Sequence, residues 1–94
     1  MDVIEGTVLK TGDIFTTIRE VDTFCFEITS NDGDSPIKYE VYEFGNHAYT
    51  SKNILKKDSR CRVVGKCEQV AYIDKDQKEV VVNRIYAKTV DYLK

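Results

Sequence analysis

The sequence predicts an all-β domain of five strands, with one short helix between the third and fourth. Three observations carry this. Short runs rich in β-branched and aromatic residues alternate with period two, most cleanly from Thr23 to Ser30. The segment from Asn46 to Leu55 is the one stretch with helical character. The last third holds two long β-rich runs joined by a charged tip, Asp74-Lys75-Asp76-Gln77.

Each element has a local reason. Val3 to Lys10 alternates loosely with Gly6 in mid-run, which predicts a strand carrying a bulge or bend there. Thr11-Gly12-Asp13 is a turn signal, and Ile14 to Val21, rich in Thr and Ile, extends as a second arm or a loop. In the second strand Phe24, Phe26 and Ile28 share one face and Thr23, Cys25, Glu27 and Thr29 the other, so a buried and a wet side follow from the pleat. Asn31 to Pro36 is the strongest loop signal in the chain. In the third strand, Ile37 to Phe44, both faces carry large side chains: Ile37, Tyr39 and Val41 against Lys38, Glu40, Tyr42 and Phe44. Period two does not orient it.

Gly45 breaks the pattern, and Asn46 is the expected N-cap of one or two helical turns ending at Ile54 and Leu55. Thr50, Ser51 and Asn53 are weak helix formers, so this helix requires tertiary support. Ser59 to Tyr72 forms the fourth strand, with Cys61, Val63, Gly65 and Cys67 on one side and Arg60, Arg62, Val64, Lys66 and Glu68 on the other. Gly65 marks a bend where backbone approaches closely. Glu79 to Ala87 returns as the fifth strand, and Lys88 to Lys94 finishes the chain.

Ninety-four residues suffice for one domain, spanning 1–94. The composition is 41% hydrophobic and 32% charged, which places the chain among globular rather than disordered sequences. No apolar run approaches the ~20 residues of a membrane span, and the N-terminus lacks a signal-peptide pattern. The expected location is cytoplasmic, with no membrane partner. Cys61 and Cys67 lie six residues apart on one predicted strand, about 20 Å, beyond disulfide reach. With one histidine, His47, and no Cys-x-x-Cys, the inventory argues against a metal site, and the cysteines read as small apolar fillers in a reduced compartment. Walker and dinucleotide-binding loops and a Gly-x-Ser-x-Gly elbow are absent. No catalytic residue and no cofactor are expected, and the protein reads as non-enzymatic.

Three strands, a helix and a two-stranded hairpin in that order make the OB-fold arrangement, a small, partly open five-stranded barrel. The residues at its joints resemble those of the bacterial single-stranded-DNA-binding proteins. Phe44-Gly45-Asn46-His47-Ala48 resembles that family's aromatic-Gly-Lys-Leu-Ala at the helix entry, and Leu55-Lys56-Lys57-Asp58 its Leu-x-Lys-Gly at the helix end. Val63-Val64-Gly65-Lys66 resembles Val-x-Gly-Arg, and Tyr72-Ile73-Asp74-Lys75-Asp76 resembles Tyr-x-Asp-Lys-Asp-Gly. Ala87, Val90 and Leu93 fall at the closing Ala-x-x-Val-x-x-Leu, Ile4-Glu5-Gly6 at Leu-x-Gly, and Phe26-Glu27-Ile28 at Phe-x-Leu. The chain departs from the family in having Gln77 where the tip glycine stands, which calls for a different turn, in having no tryptophan, and in stopping at Lys94 without an acidic tail. The resemblance implies single-stranded DNA as partner, in replication or repair. The departures imply a specialised member, such as one carried by a phage, plasmid or other mobile element, or a subunit beside a polymerase, primase or helicase.

Strand binding needs cations that follow phosphates and aromatic planes that stack on bases. The candidates are Lys38 and Tyr42 on the third strand, Arg62, Lys66 and Tyr72 on the fourth, and Arg84, Tyr86 and Lys88 on the fifth. Phe24, Phe26 and Phe44 are assigned to the core, and Arg19 lies in a segment that cannot be placed. Val64, Val80 and Val82 are apolar on a predicted outer face and mark a seam for a second copy or a partner protein. The net charge of −2 excludes a generally basic protein but not a local basic face. The rival reading is an OB-fold accessory subunit that binds a replication protein and touches DNA weakly or not at all.

Overall fold

A computed structural model describes residues 1–32 and 35–94, the side chains of Asn31 and Asp32 excepted. Six strands and one helix follow in the order β1 (Asp2–Thr11), β2 (Phe15–Thr16), β3 (Asp22–Asp32), β4 (Ser35–Phe44), α1 (Asn46–Ile54), β5 (Arg60–Ile73) and β6 (Glu79–Leu93). The sixth strand, beyond the five expected, is the two-residue β2, which pairs Phe15 with Thr23 and Thr16 with Asp22. β1 pairs with both β5 and β3, so hydrogen-bonded neighbours run in a circuit β1-β5-β6-β4-β3 and back to β1. Among the described residues, only β4 and β6 run parallel, from Tyr39↔Asn83 to Tyr42↔Tyr86.

Inward side chains fill the middle of this circuit. Phe24, Phe26 and Ile28 of β3 are fully buried with Val8, Val41, Cys61, Val63 and Ile85. Burying the seven Phe, Ile and Val side chains among them is worth about 1.5–3 kcal/mol each, the main favourable term in a domain this size. The β4 face left open by period two is settled by burial: Val41 and Glu43 point inward, while Tyr42 is half-buried and Phe44 exposed.

Helix α1 covers one end of the core with Ala48 and Ser51, followed by Leu55. Its support is tertiary, as its weak formers require. Tyr49 donates to Asp22 Oδ2 at 2.7 Å, and the Ser51 and Tyr92 hydroxyls lie 2.6 Å apart. Asn46 is not the N-cap: Gly45 holds that place at φ +71°, and no side chain caps the helix. A left-handed entry suits glycine, which has no Cβ to clash.

Two irregularities set the register. The bulge in β1 falls between Val8 and Lys10, not at Gly6, which pairs regularly with Cys61. In the β5–β6 pair, Val64 faces Thr89 and Gly65 faces Ala87, so Lys88 is the extra residue. A bulge shifts the alternation by one. Ile85 and Ala87 face the core before it, and Val90 and Tyr92 after it. Gly65 permits this closure, because a Cβ there would overlap the Tyr86 carbonyl oxygen.

Strand pairing reaches into the loop expected over Asn31–Pro36. Asn31 pairs with Pro36 and Asp32 with Ser35, and the remaining Gly33 and Asp34 lie outside the described residues. The Asp74–Gln77 tip keeps the left-handed position that a glycine would ordinarily fill. Gln77 occupies it at φ +62°, although it is not a glycine. Asp74 Oδ1 organises the turn by accepting the Asp76 and Lys78 amides at 2.8 and 3.0 Å.

Candidate nucleic-acid interface

The outward side chains of β4 and β6 meet because these strands are paired. Tyr42 stands beside Tyr86 in register, with ring centroids 5.9 Å apart and planes tilted by 37°. Phe44, two residues further along β4, lies nearly parallel to Tyr86, with ring centroids 6.4 Å apart and 16° between planes. The Arg84 guanidinium lies over the Tyr42 ring, 4.8 Å from its centroid. The result is a row of three rings, with a cation over one end, on the outer face of the sheet. Phe44 is therefore not core: it is 39% exposed and completes the row. Period two had already put it on the same face as Tyr42.

Ion pairs hold much of the surrounding charge. Arg84 donates to Glu40 Oε1 at 3.2 and 3.4 Å. The hydrogen-bonded Tyr86 side chain, and to a lesser degree Glu40, raise the Arg84 pKa. Lys38 and Lys10 both reach Glu27 at 3.0 Å, and Arg62 reaches Glu5 at 2.9 Å. Tyr86 donates to Glu68 at 2.7 Å, which fixes its ring. Burial, and next the neighbouring Cys25 thiol, push the Tyr42 hydroxyl up to about 12. The Tyr42 phenol is thus neutral near pH 7 and presents an uncharged face.

The remaining candidates are spread out. Lys66 is exposed, sits opposite Tyr86 on β5 and has no carboxylate partner among the described residues. Lys88 is exposed at the bulge. Tyr72 pairs with Val80 far along the β5–β6 arm, about 20 Å from Tyr86 at ~3.3 Å per residue, so it is not part of the ring row. Val80 and Val82 are half-buried on that arm, opposite Tyr72 and Val70. Val64 lies in the body of the sheet between Val3 and Thr89. The three valines do not form one patch. The most exposed valine of the arm is Val81, at 56%.

Among the described residues, no group of three or more His, Cys, Asp or Glu side chains is placed to hold a metal ion, and no helix is long and apolar enough to cross a membrane. Cys25, Cys61 and Cys67 are free thiols; burial raises each, Cys61 to about 11. No protein-family model matches the chain, and neither does any curated protein.

Proposed function

We propose that this is a non-enzymatic OB-fold protein that binds single-stranded DNA in replication or repair. The observation that carries the reading is the outward row Phe44–Tyr86–Tyr42 with Arg84 over its end. Rings that reach the surface of a sheet face are what unpaired bases stack on, and duplex bases, already stacked, have no face to offer them. The strand circuit with a helix between β4 and β5 supports the fold. With the two-residue β2 set aside, β1, β3, β4, β5 and β6 supply the five strands of an OB barrel. In such barrels the face of the second and third strands, with its flanking loops, takes oligonucleotides; here that face is β3–β4, where Tyr42 and Phe44 stand.

Charge sets the expected character of binding. Lys38, Arg62 and Arg84 are already neutralised by glutamates, so stacking dominates and few counterions are released. Each phosphate neutralised by a free cation contributes about −0.7 to the salt slope on single strands, which predicts a slope near −1 to −2. The test is fluorescence anisotropy with a labelled oligo-dT of about 30 bases and a duplex control at two salt concentrations. Salt-sensitive binding to the single strand alone is expected, weakened about 5- to 150-fold by Tyr86→Ala, the ~1–3 kcal/mol of one stacked base. Equal binding to duplex, or an unaffected Tyr86→Ala variant, refutes the reading.

The same ion pairs favour a second reading, an accessory subunit holding a replication protein. Its distinguishing result is no oligo-dT binding at tens of micromolar, with capture of a polymerase, primase or helicase that is lost when Val80 and Val82 are made polar.

A further inference from the structure

Beyond the ring row, the segment between β1 and β3 makes a second feature. Phe44 does not end in open solvent: with Thr17, Ile18, Arg19 and Val21 it lines an open, largely apolar hollow of ≈ 610 Å³. This is within the roughly 300–1,000 Å³ of small-molecule sites. The wall opposite Phe44 is a built turn. Thr17 N donates to Val21 O at 3.0 Å, Glu20 N to Thr17 O at 2.8 Å, and Val21 N to Thr17 Oγ1 at 3.2 Å. Asp22, at its base, accepts from Thr16 and Tyr49. Glu20 takes φ +60°, a conformation non-glycine residues seldom adopt. At the turn's crest Ile18 is 102% exposed. A fully exposed isoleucine on a hydrogen-bonded turn offers nothing to the core. Arg19 beside it has no carboxylate partner among the described residues.

Phe44 belongs to both features, so the hollow continues the ring row. Two cations without carboxylate partners among the described residues flank this line: Arg19 at the hollow, and Lys66 beside Tyr86 on β5. Resting on the strand-binding reading above, we infer that the hollow receives one nucleobase of the bound strand. The base stacks on the free side of Phe44 under Ile18, and Arg19 takes the adjoining phosphate. Apolar walls with one rim cation suit a flat base joined to an anionic backbone; a purely apolar peptide side chain would leave Arg19 without a counterion.

The test is oligo-dT anisotropy on wild type, Ile18→Ser, Arg19→Ala and Tyr86→Ala, with sedimentation velocity on each protein. Ile18 and Arg19 are exposed, so both variants should fold as wild type. Expected is about tenfold weaker binding for Ile18→Ser, within the range of one stacked base, and a salt slope lower by about 0.7 for Arg19→Ala. If wild type binds and Tyr86→Ala weakens it, while Ile18→Ser and Arg19→Ala behave as wild type, the hollow is not a base site although the strand-binding reading stands. If wild type does not bind, both fall. If Ile18→Ser instead abolishes self-association and leaves oligo-dT affinity unchanged, the occupant is a second copy of the chain and the inference is overturned.

Discussion

Replacing Glu43 with glutamine is expected to stabilise the protein at neutral pH and to flatten its pH dependence. Glu43 is 4% exposed, at the β4 end beneath α1, and its Oε1 has no hydrogen-bond partner. Burial raises its carboxyl above the ordinary 4.5; a hydrogen bond from Ser51 and the charge of His47 act the other way without cancelling it. The other groups facing it are the Tyr92 hydroxyl and the Cys61 thiol, neither positively charged. Because the folded-state pKa lies above the unfolded one, the folded state holds the extra proton in the window above pH 4.5. The stability this provides is fully present below that value and is lost as pH rises through the folded pKa, at up to about 1.4 kcal/mol per pH unit. A glutamine keeps an acceptor for Ser51 and removes the charge. A buried polar group without a partner costs about 1–3 kcal/mol, and a charged one more. Glu43→Gln should therefore gain about 1–3 kcal/mol at pH 8 and little at pH 4. For a domain this size each kcal/mol is about 4–8 °C in Tm. Urea unfolding followed by circular dichroism, on both proteins at pH 4 and pH 8, measures it. A variant no more stable than wild type at pH 8, or two proteins losing stability in parallel from pH 4 to 8, would show that Glu43 is not the strained group.

Further expectations concern the close approach, the cations and the tip. Gly65→Ala places a methyl against the Tyr86 carbonyl and should cost about 1–3 kcal/mol, as overpacking does, lowering the guanidinium midpoint; an unchanged midpoint contradicts the contact. Lys66→Glu should weaken oligo-dT binding severalfold, whereas Arg62→Glu alone should matter less because Glu5 already holds Arg62; the reverse order of effects in anisotropy would remove Lys66 from the interface. Gln77→Gly relieves a left-handed non-glycine residue at the tip and should raise stability by about 0.5–1 kcal/mol after the entropy of the added glycine; a lower Tm would argue against that conformation.

Burial explains which parts were legible in the sequence. β3 could be read because one face carries Phe24, Phe26 and Ile28 and the other does not. β4 could not, because its inner face holds a carboxyl, Glu43, while its outer face holds Tyr42 and Phe44; polarity and burial run opposite to expectation there. That inversion also sent Phe44 to the core on paper. The bulge at Lys88 left a trace, since Ala87 and Val90 stand three apart on a strand and can share a face only if one residue is extra. The ion pairs left none: Glu27 meets Lys10 and Lys38, and Glu40 meets Arg84, across neighbouring strands. The Ile14–Val21 segment lacked a pattern because threonine and aspartate hydrogen bonds, not a buried face, hold its shape.

The ring row is divided between β4 and β6, whose contacts at the site join residues 44 apart in sequence. Neither strand alone holds a platform: Tyr42 and Phe44 wait for Tyr86, which lies on the final strand of these 94 residues. Contacts of such separation form late and slowly. During synthesis the earlier strands can leave the ribosome and begin to pair with no competent surface among them. On the proposed reading, strand affinity arises only once β6 lies between β4 and β5. An oligonucleotide that binds the finished protein thus acts on the same step, holding the last strand in place and slowing its release on unfolding.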